Sequence, residues 1–262
     1  MALVERGLFG VIDKVEISIA RLREMEPKNG YYLAFSGGKD SCVIKQLAIE
    51  AGVKFDAHYS YVGIDPPELV EFIKRNHADC EFQRPAPRFF SLLRSKKFPP
   101  TRKFRWCCES LKETCGSGRT VLLGIRWSES ASRSKRRFVE LCPQDNSKRY
   151  ICPILEWTDE DVWEFIRDRK LPYCSLYDEG YTRIGCLLCP VGKKSSRLTD
   201  AARYPKLVRA WELNLDRLIP VRSTGKHPVH FTSGHEWFQF WLNEETRADP
   251  EQQCFKFDSE EE

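Results

Sequence analysis

The sequence predicts an α/β fold, a doubly wound and mostly parallel sheet with an N-terminal helix and a helical C-terminal part. Short apolar runs alternate with segments of helical periodicity from residue 31 to residue 125, which is the order of elements in a parallel sheet. A glycine-rich turn, Ser36–Ser41, directly follows the first of these runs. Ligands of parallel sheets bind at the carboxyl ends of the strands, where such a turn lies.

The elements of the first half follow from the spacing of their apolar residues. An N-terminal helix is predicted from five apolar residues at helical intervals, Leu8, Val11, Val15, Ile19 and Leu22. Strands are predicted over 31–35, 54–63, 80–83 and 119–125. The intervening helices are predicted over 40–51, from Pro66 to Asn76, and after Pro87.

The second half is predicted to be mainly helical. Thr158 precedes three acidic residues, so it is expected to cap a helix whose first turn suits the helix dipole. Two further helices are predicted over 205–219 and 234–245. We therefore expect a nucleotide-binding domain over 1–192, a helical extension packed on it over 193–250, and a disordered acidic tail over 251–262.

Composition indicates a globular protein that does not enter membranes. Of the 262 residues, 41% are hydrophobic and 31% are charged. No apolar run reaches the ~18 residues that a membrane span needs. The N-terminus lacks a basic region followed by a long apolar core, so no signal peptide is expected. These features predict a cytoplasmic protein.

Positive charge is concentrated in the middle of the chain. Residues 84–149 contain 17 Lys and Arg against five Asp and Glu, which gives this region a charge of +12. Since the whole chain has a net charge of +4, the remaining residues have a net charge of −8. Such a region is typical of contact with phosphates, either those of a nucleotide or those of a nucleic acid such as DNA. The alternative is a basic face that only meets solvent.

The glycine-rich turn Ser36-Gly37-Gly38-Lys39-Asp40-Ser41 has the composition of a phosphate cradle. Glycines allow close approach of the backbone, and the N–H groups of the following helix point at the anion. The spacing is not that of a Walker loop. It resembles the loop of the PP-loop ATP pyrophosphatase superfamily, which implies that ATP with Mg²⁺ is cleaved to pyrophosphate here. The alternative is a strand–helix turn without a ligand.

Four of the eleven cysteines have a spacing that suits a metal centre. Cys107 and Cys108 are adjacent, and Cys186 and Cys189 form a CxxC pair. Adjacent cysteines do not readily form a disulfide with each other. Four thiolates suit a 4Fe–4S cluster or zinc, although structural zinc sites use two CxxC-type pairs rather than adjacent cysteines. A third alternative is that they are core thiols.

Together, the motifs resemble those of the adenylylsulfate (APS) and phosphoadenylylsulfate (PAPS) reductase family. Cys107-Cys108 with Lys112, and a CxxC roughly eighty residues later, resemble the 4Fe–4S site of APS reductases. Further runs match in the same order over residues 30–192: Gly124–Arg126, Ser128–Arg133, Cys152–Ile154, Trp157–Trp163, Leu171–Tyr173, Tyr177–Tyr181 and Ile184–Cys186. The resemblance implies a PP-loop fold with a cluster on the four cysteines.

Three groups of site residues follow from the loop and the resemblance. We expect Lys39, Asp40 and Arg126 to be catalytic. Nucleotide contacts are expected from the loop and four later residues: Ser36, Gly37, Gly38, Lys39, Asp40, Ser41, Asp65, Gly124 and Arg133. Asp65 could instead cap the helix that starts at Pro66. Arg126 and Arg133 could instead be surface charges.

Two departures from the reductase pattern concern the loop and the C-terminus. Reductases end in a Glu-Cys-Gly-Leu-His-type motif, whereas here Cys254 is followed by neither Gly nor His. Their loop is usually degenerate at the lysine and the aspartate, whereas Lys39 and Asp40 are intact. This combination resembles the 4Fe–4S sulfurtransferase of DNA phosphorothioation. That resemblance implies adenylation of a phosphate, with DNA and a sulfur donor such as a cysteine desulfurase as partners.

Three functions remain open at this point. The first is an ATP pyrophosphatase and sulfurtransferase of the phosphorothioation type. The second is an APS or PAPS reductase that uses another cysteine or a partner. The third is a nucleotide- and cluster-binding subunit without independent turnover.

Overall fold

The computed structural model describes residues 3–7, 10–223 and 230–243. Its strands are β1 Val4–Gly7, β2 Gly10–Asp13, β3 Tyr31–Ala34, β4 Phe55–Ser60, β5 Glu81–Gln83, β6 Thr120–Leu122, β7 Val139–Cys142 and β8 Asp145–Ile151. Its helices are α1 Lys14–Glu24, α2 Lys39–Ala51, α3 Pro67–Asn76, α4 Phe89–Lys96, α5 Trp106–Leu111, α6 Asp159–Asp168, α7 Lys194–Arg203, α8 Pro205–Asp216, α9 Ile219–Ser223 and α10 Gly234–Asn243.

Six of these strands form one sheet in the order β5-β4-β3-β6-β8-β7. Neighbouring strands run parallel except at one edge, where β7 pairs antiparallel with β8. Tyr31, Leu33 and Phe35 point from β3 and its end into the hydrophobic core, together with buried residues of α1 and α2. The predicted α/β class, with a mostly parallel sheet flanked by helices, is confirmed.

The N-terminal helix begins later than its apolar spacing suggests. Asp13 caps α1 because its Oδ1 accepts hydrogen bonds from the N–H groups of Val15 at 2.9 Å and Glu16 at 3.1 Å. Before it, β1 and β2 form an antiparallel hairpin. Val11 lies in this hairpin and is 68% exposed, so its assignment to the helix is wrong. Leu8 lies outside the described residues.

The edge hairpin β7–β8 was not predicted. Strand β8 reads Asp-Asn-Ser-Lys-Arg-Tyr-Ile, which lacks the apolar run used to recognise the inner strands. Lys148 in its middle is nevertheless 2% exposed. Its ammonium donates hydrogen bonds to the carbonyl oxygens of Glu113 at 2.6 Å and Cys115 at 2.8 Å. A buried lysine thus fixes the loop before β6, an interaction that periodicity does not reveal.

The chain divides into two compact units. The first comprises the described residues up to Leu92 together with Phe104–Leu187, and it contains the six-stranded sheet. The second comprises Leu93–Lys103 and the described residues from Leu188 onward, with helices α7 to α10. The division at Leu187 lies close to the boundary expected at residue 192. The predicted tail over 251–262 and Cys254 lie outside the described residues.

The C-terminal helices pack through aromatic side chains. In the second unit, Trp211 of α8 stacks on Trp241 of α10 with ring centroids 4.6 Å apart, and Phe238 is fully buried. The helices predicted over 205–219 and 234–245 therefore exist as core-forming elements. No helix within the described ranges has the length and apolar character to cross a membrane.

A buried polar network supports the helix that follows the glycine-rich turn. Lys45 of α2 donates a hydrogen bond to Asp79 Oδ1 at 2.6 Å, and its ammonium lies 3.2 Å from His77 Nδ1. An ammonium can only donate, so Nδ1 must accept and the ring proton resides on Nε2, 3.8 Å from the sulfur of Cys42. Burial, followed by the charge of Lys45, lowers the pKa of His77 to about 4.

This network predicts that acid weakens the fold. The ordinary pKa of His77 is 6.5 and its folded value is about 4, so the unfolded chain binds the extra proton between these values. The free energy of unfolding should therefore rise with pH across this window, by on the order of 2 kcal/mol, and level off above it. Urea unfolding from pH 4 to 7.5 would measure it. In His77→Gln the increase of the free energy of unfolding with pH should be smaller. If this free energy rose equally with pH in both proteins, His77 would not be the source of the effect.

Candidate nucleotide site and cysteine group

The glycine-rich turn forms an open helix start at the carboxyl end of β3. Helix α2 begins at Lys39 with Gly38 as its N-cap, a residue that has no side chain to cap this end. Gly37 has a φ of 73°, a left-handed conformation that favours glycine. The Ser41 hydroxyl donates a hydrogen bond to the carbonyl oxygen of Gly38 at 2.8 Å, and the Ser36 hydroxyl donates one to the hydroxyl oxygen of Ser41 at 3.2 Å. The turn is thus preorganised for an anion.

Tyr177 closes one side of this turn. Its hydroxyl oxygen accepts a hydrogen bond from the backbone N–H of Lys39 at 2.9 Å. The Lys39 ammonium lies 5.6 Å from the centre of the Tyr177 ring and 3.4 Å from the carbonyl oxygen of Thr182. Burial raises the pKa of Tyr177, so its hydroxyl stays protonated and can also donate a hydrogen bond to a phosphate oxygen.

Two cations and two carboxylates form a network beside the turn. Asp159 Oδ1 lies 3.0 Å from the Lys39 ammonium and accepts a hydrogen bond from Arg126 at 2.8 Å. Asp40 Oδ1 accepts from Arg126 Nε at 2.7 Å, and its Oδ2 lies 3.8 Å from Lys39. The structure therefore brings the three predicted catalytic residues together. Asp159 joins them as a fourth member, which the sequence assigned only to the helix dipole.

The exposure of these four side chains differs sharply. The Lys39 and Arg126 side chains are 5% and 4% exposed, whereas Asp40 is 20% and Asp159 is 53% exposed. Burial alone would raise the pKa of Asp159, but Lys39 and Arg126 lower it overall. Burial alone would lower the pKa of Arg126, but Asp40 and Asp159 raise it. The two positive charges are thus desolvated, and each is paired with carboxylates that are more exposed to solvent than the cations are.

Gly124 and Arg133 both lie next to the network beside the turn. A Cβ atom on Gly124 would lie 3.1 Å from the Cβ of Asp40, so this glycine lets the chain after β6 approach α2. Arg133 forms an ion pair with Glu129, whose carboxylate also accepts from the backbone N–H of Arg126 at 3.0 Å. Arg133 therefore contacts the network through Glu129, and a direct nucleotide contact remains a prediction.

Asp65 does not cap the following helix. The N-cap of α3 is Pro66, so the capping alternative is wrong. Asp65 Oδ2 instead accepts hydrogen bonds from the N–H groups of Val62 at 3.0 Å and Gly63 at 3.3 Å. Its Oδ1 lies 3.9 Å from the sulfur of Cys186. Asp65 thus fixes the loop after β4 next to one of the predicted cluster ligands.

Three of the predicted ligands lie in the first unit, and two of them, Cys108 and Cys186, interact with Lys112. Cys107 and Cys108 lie on α5 and are hydrogen-bonded to each other. Lys112 is hydrogen-bonded to Cys186 and interacts electrostatically with Asp65 and Cys108. Although burial lowers the pKa of Lys112, these negative charges raise it overall. The hydrogen bond from Cys107, with help from Lys112, lowers the pKa of the Cys108 thiol despite burial.

The three cysteines predicted as ligands in the first unit have the chemistry of iron–sulfur cluster ligands. Soft, half-buried thiols near a lysine ammonium can ligate iron as thiolates, and their negative charge would be balanced by that ammonium. Cys189, the fourth predicted ligand, belongs to the second unit and is also half-buried. In the described part of the chain, no group of three or more His, Cys, Asp or Glu is already arranged around a metal position.

Comparison with known proteins shows the relationships of the chain. An uncharacterised protein of Methanocaldococcus jannaschii is 28% identical over 226 residues, which are 80% of this chain and 47% of that protein. A protein of Caenorhabditis elegans named a probable FAD synthase is 31% identical over 213 residues, 78% of this chain and 38% of its own. The chain thus spans half or less of the length of these two relatives.

The fold comparison and the family comparison agree. The crystal structure of a PAPS reductase from Candida auris superposes with a TM-score of 0.50 at 16% identity, covering 66% of this chain and 87% of that one. The family model described as the phosphoadenosine phosphosulfate reductase domain matches residues 30–192. This match covers more than half of the chain, which therefore belongs to the phosphoadenosine phosphosulfate reductase domain family.

Proposed function

We propose that the chain cleaves ATP between its α- and β-phosphates at the Ser36–Ser41 turn and uses the resulting adenylate for sulfur transfer. The observation that carries the proposal is the pair of buried cations, Lys39 and Arg126, beside a helix start whose N-cap residue is a glycine. Desolvated positive charges stabilise the charge that develops on departing pyrophosphate more strongly than solvated ones do. A chain that only reduced sulfonucleotides would not need a cradle for a leaving pyrophosphate.

The residues of the network have separate roles in this reaction. The glycine backbone and the first N–H groups of α2 would hold the β- and γ-phosphates. Lys39 and Arg126 would contact the bridging and β-phosphate oxygens as an acceptor oxygen attacks the α-phosphorus. The new P–O bond forms while the bond to the bridging oxygen breaks, and pyrophosphate leaves. Mg²⁺ bound with ATP would neutralise phosphate charge, and Asp40 is its candidate ligand.

The sulfur step is inferred from the cysteines. A 4Fe–4S cluster held by Cys107, Cys108, Cys186 and Cys189 would supply electron transfer, and because its four irons would all carry cysteine ligands, the sulfur would come from a separate donor. Sulfur at the oxidation level of hydrosulfide would attack the adenylated phosphorus, so that an S–P bond forms while the bond to AMP breaks. If a cysteine desulfurase supplies a persulfide, a thiol must provide two electrons to release the sulfur at this level.

The acceptor we propose is a DNA phosphate. Between residues 84 and 105 the chain has eight Lys and Arg, all exposed, and no Asp or Glu. Arg94 and Arg102 also donate hydrogen bonds within the protein, to Asn214 Oδ1 and to the carbonyl oxygen of Gly192. Several later cations of the basic region have partners in the protein as well: Lys112, Arg119, Arg126, Arg133, Arg136 and Lys148. The segment over 84–105, which ends two residues before Cys107, combines exposed cations with no acidic residue and is therefore the part of the basic region that fits a polyanion.

Reduction of APS or PAPS is the second candidate. It is supported by the family and by the cysteine spacing shared with APS reductases. The relative named a probable FAD synthase is consistent with a family whose members do not all reduce sulfonucleotides. The third candidate, a binding subunit without turnover, is favoured if the protein binds nucleotide but forms no product.

Product analysis under anaerobic conditions separates the candidates. The protein would be incubated with ATP, Mg²⁺, duplex DNA and sulfide, and separately with APS or PAPS and a thiol. We expect AMP, pyrophosphate and DNA-bound sulfur in the first reaction. Sulfite in the second reaction, without pyrophosphate in the first, would overturn the proposal. Iron and sulfide would be measured on the same preparation, since zinc without iron would contradict the cluster.

A further inference from the structure

Asp159 pairs with both buried cations beside the glycine-rich turn. One of its carboxylate oxygens contacts both the Lys39 ammonium, at 3.0 Å, and the Arg126 guanidinium, at 2.8 Å. These are the two cations that a phosphate group would meet on entering the turn. A single oxygen bridging an ammonium and a guanidinium reproduces the contacts of one phosphate oxygen.

The energetics explain why such a carboxylate is present. Lys39 and Arg126 are almost fully buried, and a buried cation without a counter-ion is costly. Asp40 pairs closely with Arg126, but its nearest oxygen is 3.8 Å from Lys39. Among the described residues, Asp159 therefore supplies the carboxylate closest to Lys39.

The location of Asp159 also allows it to leave. It is the first residue of α6, and its side chain is 53% exposed, against 20% for Asp40. A half-exposed carboxylate can rotate into water at little solvation cost, whereas moving Asp40 would disturb a more buried contact. Of the two carboxylates, Asp159 is thus the one that an incoming phosphate can displace.

We propose that Asp159 is a positioning residue that acts as an internal anion: it holds Lys39 and Arg126 in place without nucleotide, and it yields them to the pyrophosphate part of ATP. This inference rests on the proposed function only in taking pyrophosphate as the anion. It implies that Asp159 competes with the ligand, so that removing its charge strengthens anion binding. If Asp159 only supported the structure of the turn, removing its charge would weaken anion binding instead, because Lys39 and Arg126 would lose a contact that holds them in place.

The test is the dissociation constant of inorganic pyrophosphate, measured by calorimetry in EDTA at low salt. Asp159→Asn should bind pyrophosphate about three- to tenfold more tightly than the unchanged protein, the range expected for loss of a charge-assisted pair that is half exposed. Glu160→Gln removes a charge from the same helix turn, where Glu160 is exposed and forms no ion pair among the described residues. It should bind within about twofold of the unchanged protein, as should Asp159→Glu.

Unchanged or weaker binding by Asp159→Asn would overturn the inference. Asp159→Ser repeats the measurement with a side chain too short to pair with Lys39, in case the asparagine variant does not fold. Pyrophosphate binding needs no turnover, so tighter binding supports this role even if ATP is never cleaved. Conversely, ATP cleavage with unchanged pyrophosphate binding in both variants would support the proposed function and refute the role of Asp159.

Discussion

Replacing Lys39 by methionine is expected to lower the rate of pyrophosphate release from ATP by about 10²- to 10³-fold, the usual cost of removing one preorganised charge at a reacting group. Methionine fills a similar volume, so the effect should come from the lost charge. Asp159 and Asp40 would keep Arg126 as their partner, and the fold should survive. Single-turnover release of pyrophosphate, with protein in excess of ATP, measures the chemical step.

A matched control distinguishes the loss of the Lys39 charge from the general effect of replacing a lysine by methionine. Lys54→Met makes the same change at an exposed lysine just before β4 and should leave the rate within about twofold, as for most surface substitutions. Lys39→Arg would keep the charge but replace a compact ammonium by a planar guanidinium, and it should recover only part of the rate. If Lys39→Met retained more than a tenth of the rate, ATP cleavage at this turn would be refuted.

The site illustrates which contacts a sequence reveals and which it does not. The glycine-rich turn was predictable because its glycines, its lysine and the flanking strand and helix are contiguous in the chain. Arg126 was expected because it follows the predicted strand 119–125, and the structure places its guanidinium on Asp40. Each of these signals is local, or follows from the rule that parallel strands present their carboxyl ends at one edge.

Asp159 was missed for a physical reason. An acidic residue at the start of a helix has a sufficient local explanation in the helix dipole, and Thr158 does cap this helix as expected. The contact to Lys39 joins residues 120 positions apart, and it depends on how α6 is placed against α2. The run Tyr177–Tyr181 did match the family, but the bond from the Lys39 N–H to the Tyr177 hydroxyl required the structure.

Replacing Gly37 by alanine is expected to destabilise the fold by about 2–4 kcal/mol and to abolish pyrophosphate binding. The left-handed backbone at Gly37 costs an alanine about 1–2 kcal/mol. A Cβ atom there would also lie 2.7 Å from side-chain carbons of Leu69 and Ile73. Both are almost fully buried, so they cannot move aside without repacking, which typically adds 1–3 kcal/mol.

The neighbouring glycine provides the control for that prediction. Gly38 has a φ of −75°, and a Cβ atom on it would meet its nearest atoms, the hydroxyl oxygens of Ser36 and Tyr177, at 3.4 Å. Gly38→Ala should therefore change the free energy of unfolding by less than about 1 kcal/mol, because neither strain nor overlap is introduced. Urea unfolding of both variants gives the comparison. Equal stability of the two would show that the turn tolerates a side chain at Gly37, and the close backbone approach assigned to the phosphate cradle would then be wrong.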